Sequence, residues 1–212
     1  MADYTLYGFN ASTYVRTIRM LLLEKGIDYE QVPVNILAGE GQSPEHKQRH
    51  PFGKIPAFDA NGVRLFETDA IAELIEGEHR GKPSFIPADT VARARMRQWM
   101  GTIDDYTYPQ VVGTLVWQRV VNPVLGEATD EKAVKEAMPQ VEYHFGLFEE
   151  ALGASKYLAG DEISLADLYL APIMAYVSMT TEGEKLIADH PNVRRWWTEM
   201  EARPSFQATP FR

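Results

Sequence analysis

The spacing of apolar positions changes character twice along the chain. Residues 4–7 form a short run ending at Gly8, the pattern of a strand. Over residues 15–25, Ile18, Leu21 and Leu22 recur at helical spacing, and Gly26 stands where a helix C-terminus favours a residue tolerant of positive φ. Residues 29–36 alternate imperfectly through Tyr29, Val32, Val34 and Ile36 and predict a second strand, whereas residues 38–50 are polar and predict a loop with a helical turn. Two apolar runs, 55–59 and 63–66, flank Asn61-Gly62, a pair whose ease at positive φ marks a hairpin. Residues 70–78 then predict a helix with Ile71, Leu74 and Ile75 inward.

The order β-α-β-(α)-β-β-α has a crossover after its first strand, which favours a parallel pair, and a hairpin, which adds antiparallel strands. The expectation is an α/β N-terminal domain over residues 1–80, a mixed four-stranded sheet in the thioredoxin-like arrangement. Residues 81–89 hold Gly81, Pro83 and Pro87 and read as a linker. Beyond them, 90–121 and 130–152 are long helical patterns, with a possible break at Pro109 and with Pro139 inside the second. No strand alternation follows, so residues 90–212 predict an all-helical domain. Ser164 and Asp167 resemble a capping box at the head of an apolar helix, with Ile163 and Leu168 spaced as a staple. That motif nucleates a helix and is not a catalytic pair. Trp117, Trp196 and Trp197 read as packing residues.

Composition narrows the chemistry. The 212 residues carry a net charge of -9 and no long basic run, which argues against nucleic acid as a partner. With no cysteine, any thiol chemistry must use a thiol brought by a ligand. The five histidines lack metal-ligand spacing, so no metal is expected. There is no signal-like leader and no apolar run near the ~20 residues that span a bilayer, and the expected setting is cytoplasmic, away from membranes. Asn10-Ala11-Ser12 matches a glycosylation sequon, read as chance without secretion.

Four segments in order resemble the cytosolic glutathione transferase family, over nearly the whole chain. They are Ser12 to Arg16 after the first strand, His50-Pro-Phe-Gly-Lys-Ile-Pro-Ala57 (similar to the family's N-P-x-G-x-[VI]-P), Leu65-Phe-Glu-Thr-Asp-Ala-Ile71, and Tyr157-Leu-Ala-Gly-Asp-Glu-Ile-Ser-Leu-Ala-Asp167. Leu115-Val-Trp117 with Pro123-Val-Leu-Gly126 is similar to the phi class and its bacterial relatives. The resemblance implies a homodimeric detoxification enzyme with glutathione as co-substrate, conjugating it to small hydrophobic electrophiles. The same thiolate reducing organic hydroperoxides, and a non-catalytic carrier of hydrophobic ligands, are the alternatives.

A free thiol titrates near 8.5, so lowering that value by two units stabilises the thiolate by roughly 2.7 kcal/mol. A hydroxyl at a helix N-terminus suits that task. The resemblance implies Ser12 as that donor; Thr13 is the rival, and either hydroxyl also fits a plain N-cap. It further implies that Ile55 pairs its backbone with the cysteinyl part of glutathione, before a cis Pro56. Thr68 with nearby amides takes the γ-glutamyl carboxylate, and Glu67 its ammonium. Gln42 and Lys54 are expected at the glycine end, although Gly41 stands where the family often has His or Lys. Phe9, Leu37, Tyr106, Tyr108, Val112 and Leu115 are the expected electrophile contacts, in a pocket contributed largely by the helical domain.

Overall fold

A computed structural model describes residues 4–80 and 83–211. Residues 81 and 82 of the expected linker lie outside them. The chain divides into two compact units, Met1–Ser84 with Arg203–Arg212, and Phe85–Ala202.

In the first unit the strands β1 (Tyr4–Tyr7), β2 (Glu30–Val32), β3 (Ala57–Ala60) and β4 (Val63–Phe66) form one sheet in the order β2-β1-β3-β4. β1 runs parallel to β2 and antiparallel to β3, and β4 returns antiparallel to β3. This is the expected mixed sheet. Asn61 (φ 49°) and Gly62 (φ 83°) both take left-handed backbone at the β3–β4 turn, as a tight hairpin of this hand requires. Leu6 and Phe58, opposite each other in the sheet, are fully buried with Ile18 and Leu22 of α1 (Thr13–Glu24) and Ile71 and Ile75 of α3 (Thr68–Glu78). Each such side chain contributes about 1.5–3 kcal/mol by leaving water. A buried ion pair between Lys25 Nζ and Glu76 (2.9 Å) joins the same two helices.

The second strand is shorter than its apolar pattern predicts. Pro33 has no N–H to offer the ladder, so pairing stops at Val32. Asn35 then accepts from the amides of Leu37 and Ala38 and starts a 3₁₀ turn, Ile36–Ala38. A second such turn, Glu40–Gln42, precedes the short α2 (Pro44–Lys47).

Residues 203–212, expected with the helical domain, belong to the first unit, because buried charge on α1 holds them. Arg16 lies under the rings of Phe206 (3.8 Å) and Phe211 (4.4 Å) and donates to the Phe206 carbonyl (3.0 Å). Arg19 donates to the Pro210 carbonyl, and Glu24 pairs with Arg203 at the start of α11 (Pro204–Gln207).

The second unit is helical apart from an isolated bridge between Tyr157 and Gly160. Its first run comprises α4 (Thr90–Thr102), a wider π-type segment (Ile103–Thr107), α5 (Tyr108–Gln110), a second π-type segment (Val111–Val121) and α6 (Asn122–Leu125). Pro109 does not break it. The missing N–H is absorbed by the wider turns, which flank the proline on both sides. α7 (Glu131–Ala154) continues through Pro139. α8 (Leu165–Val177) is buried on nearly every side, with α9 (Thr181–Asp189) and α10 (Pro191–Glu201) following. The motif at its head is structural: the fully buried Asp167 carboxylate accepts from the Ser164 amide (2.9 Å), the Ser164 hydroxyl, the Leu158 amide and Trp196 Nε1. Trp196 and Trp197 are packed as expected, but Trp117 is 39% exposed. Among the described residues, no helix is long and apolar enough to cross a membrane.

Candidate active site

Sheet register gathers the predicted residues of the first unit. Tyr7, Ala57 and Phe66 lie side by side across β1, β3 and β4. β1 leaves the sheet at that row, β3 enters there and β4 leaves there. The loop from Gly8 to Ser12, Pro56 and Glu67 are therefore delivered to the same end. Gly8 packs where a Cβ would overlap Val15 of α1 and press on Ile55, so the close approach of these three segments requires glycine.

Ser12 is the N-cap of α1, and its Oγ accepts from the Val15 amide (3.3 Å). That bond uses a lone pair and leaves the hydroxyl proton for a ligand. The capping and donor roles are thus compatible, and the cap holds the oxygen at the positive end of the helix. Ser12 is half-buried, whereas Thr13 is 5% exposed and its Oγ1 has no solvent-accessible surface.

The Ile55-Pro56 peptide is cis, and both residues are buried. Glu67 adopts φ 72°, a left-handed backbone that costs a non-glycine residue on the order of 1–3 kcal/mol and that clusters at ligand-binding positions. It caps α3 with its side chain exposed. Thr68 follows, buried, in the first turn, where helix amides face an incoming anion. Gln42 and Lys54, both exposed, come from separate loops whose backbones touch: a Cβ on Gly53 would press on Gln42 Nε2 and the Gly41 carbonyl. His46 fixes the second loop, its Nε2–H donating to the Lys54 carbonyl (2.7 Å). Burial, with positive charge at His46 and Lys54, holds His50 below its ordinary pKa.

The electrophile candidates divide. Phe9 is half-buried and Leu37 is exposed on its 3₁₀ turn. In the helical unit Tyr106 is 66% exposed and lines a cleft of about 430 Å³ with Pro109, Tyr143 and His144. Tyr108 is half-buried. Leu115 is a correction: it is fully buried in a segment that packs on α7 and α8, and Val112 is nearly so. Neither offers a ligand a surface. Sequence reasoning missed Gln31, whose amide reaches the Gly8 carbonyl, and His46. A polar residue in a short edge strand and a histidine in a polar loop carry no periodic signal.

A sheet end that presents a capping hydroxyl, an extended edge before a proline and a second helix N-terminus suits a peptide bearing both a thiol and a carboxylate. That defines a thioredoxin-like glutathione-binding protein with a helical second unit. Family models agree: "Glutathione S-transferase, N-terminal domain" matches residues 2–77 and "Glutathione S-transferase, C-terminal domain" matches 108–204. The chain belongs to the glutathione S-transferase family. It is 34% identical to Glutathione S-transferase 3 of Zea mays over 99% of this chain and 94% of that protein. Among solved structures it is similar to glutathione transferase F7 from Populus trichocarpa, with TM-score 0.89, 30% identity and 97% of each chain covered. It also resembles maize glutathione S-transferase I in complex with an atrazine glutathione conjugate, with TM-score 0.86, 31% identity and 97% and 95% coverage. These are phi-class relatives, and conjugation of glutathione to electrophiles is the activity of the family.

Proposed function

We propose that Ser12 donates its hydroxyl proton to the glutathione sulfur and holds it as thiolate for attack on a small hydrophobic electrophile. The observation that carries this reading is the Ser12 hydroxyl at the N-cap of α1, which accepts from the Val15 amide in a residue that stays half-buried. A charge-assisted bond of this kind, added to the positive end of α1, favours the anion over the thiol. Ile55 pairs its backbone with the cysteinyl unit, Thr68 and the first amides of α3 receive the γ-glutamyl carboxylate, and Glu67 receives the ammonium. Gln42 and Lys54 serve the glycine carboxylate, a reading supported by the contact between their loops. Phe9, Leu37, Tyr106 and Tyr108 are the apolar groups with surface left for the electrophile. The maize relative with an atrazine conjugate supports electron-poor heteroaromatics as one class of electrophile.

The test is conjugation to chlorodinitrobenzene by the wild type and by Ser12→Ala, with the pH midpoint of the bound thiolate read from its ultraviolet absorbance. Losing one charge-assisted bond predicts a rate lower by about 10–100-fold and a higher midpoint. Equal rates and midpoints in the two proteins would remove Ser12 from the mechanism. A cytoplasmic homodimer acting in detoxification completes the proposal. Phe52, 69% exposed beside the site loop, supports a partner surface on this unit, and a monomer by light scattering would contradict it.

A further inference from the structure

We propose that Gln31 is a positioning residue for this chemistry, clamping the β1–α1 loop so that the Ser12 hydroxyl is held in its working direction. The inference rests on the Ser12 reading above. Gln31 lies on β2 opposite Leu6, one strand away from the loop. Its Nε2 donates to the Gly8 carbonyl (2.9 Å) and to Asn10 Oδ1 (3.0 Å). The Gly8 carbonyl can only accept, so the nitrogen of the Gln31 amide must face it. The second hydrogen of that nitrogen must then meet an acceptor, which fixes the Asn10 amide with its oxygen toward Gln31.

β2 therefore holds the loop at several atoms. The Gly8 amide donates to the Val32 carbonyl (3.0 Å), the Gly8 carbonyl is held by Gln31, and the Asn10 side chain is held by the same amide. Beyond Asn10, the Ser12 amide donates to the Phe9 carbonyl (3.2 Å) and closes the turn into α1. The side-chain bonds of Gln31 go to Gly8 and Asn10, and its effect passes through them. Such an effect is large enough to matter, because misplacing a catalytic group by about 1 Å can cost on the order of 100-fold in rate. An amide with two donors on one nitrogen is the minimum that can bridge a backbone carbonyl and a side-chain oxygen, and an apolar residue of similar size cannot replace it.

The experiment compares the wild type, Gln31→Leu, Asn10→Ala, Ser12→Ala and the double variant Ser12→Ala/Gln31→Leu. It reads kcat, KM for glutathione and the pH midpoint of the bound thiolate. For Gln31→Leu the expected result is a kcat lower by about tenfold, a raised midpoint, and a KM for glutathione within about twofold of wild type. Asn10→Ala removes one of the two bonds and falls between. In the Ser12→Ala background the further loss from Gln31→Leu shrinks to about twofold or less, because the clamp acts through the hydroxyl that is already gone. A midpoint unmoved by Gln31→Leu, with only thermal stability lowered, makes the residue structural and overturns the proposal, as does an undiminished loss in the Ser12→Ala background. If Gln31→Leu fails to fold, Gln31→Met and Asn10→Ala carry the same comparison. If Ser12→Ala leaves the midpoint where it was, the Ser12 reading itself fails and this inference with it; if Ser12→Ala raises it and the Gln31 and Asn10 variants do not, only the clamp falls.

Discussion

Two hydroxyls stand next to each other at the head of α1, and they differ in burial. Ser12 keeps accessible surface, while Thr13 Oγ1 is sealed from solvent and has no hydrogen-bond partner among the described residues. A buried hydroxyl without a partner is a cost, so Thr13→Val should raise stability by about 1 kcal/mol and leave conjugation within about twofold of wild type. Thermal denaturation and the chlorodinitrobenzene assay check both halves; a large loss of rate would transfer the donor role to Thr13. The residue alphabet alone could not divide this pair, since both hydroxyls sit in the register of an N-cap. The strand-to-helix junction at Glu67 and Thr68 was legible because a short motif marks it. The φ of 72° at Glu67 was not, because glutamate gives no sign of left-handed backbone. Leu115 shows the opposite limit. A leucine on a long helix reads equally well as pocket wall or core, and only its packing in the folded unit decides for core.

At the scale of elements, the loop between β2 and β3 is organised by its histidines. His46 holds the Lys54 carbonyl, and His50 lies against the Phe66 ring (4.9 Å) with the His46 ring beyond it (6.4 Å). Phe66 ends β4, directly before Glu67, so this stack supports two parts of the candidate site. Burial disfavours the charged form of His50, and the positive neighbours His46 and Lys54 add to that. A histidine depressed in the folded state takes up its proton more readily when unfolded. Its contribution is complete above the ordinary value of 6.5 and is lost progressively as pH falls through 6.5 toward the lower folded value. His50→Asn, which places the family's usual residue there, should flatten that acid limb. Melting temperatures between pH 7.5 and 5 measure it, and an unchanged acid limb would assign the loss to other groups. Most of the elements were legible from apolar period alone: the four strands, their mixed pairing, α1, α3 and the long helices. Strand length was less so, because Pro33 and the Asn35 cap overrode an apolar alternation that continued past them. The π-type turns around Pro109 were invisible, since the same apolar spacing serves an α-helix.

Across the whole molecule, the chain leaves its first unit at Ser84 and returns to it at Arg203. The final segment has no strand pattern and little apolar content, and nothing in its composition announces where it docks. The reason lies on α1, where Arg16 and Arg19 are 3% and 8% exposed; Arg16 donates to the Phe206 carbonyl and the Thr209 hydroxyl, and Arg19 donates to the Pro210 carbonyl. Glu24 at the other end of α1 takes Arg203 (2.8 Å) and the Ser205 hydroxyl (2.6 Å). Ser12 caps α1, so on the proposed reading the docked segment steadies the helix that presents the thiol donor. Truncation after Ala202 should remove about 3–5 kcal/mol of stability from the first unit, the sum of several charge-assisted bonds and two cation–π contacts. All four tryptophans, Trp99, Trp117, Trp196 and Trp197, lie in the second unit, so tryptophan fluorescence reads that unit alone. The truncated protein is expected to keep its tryptophan emission while glutathione binding by calorimetry is lost or weakened by at least about tenfold. Retained binding at wild-type affinity would show that α1 holds its place without the segment, and simultaneous loss of both signals would mean that the two units unfold as one.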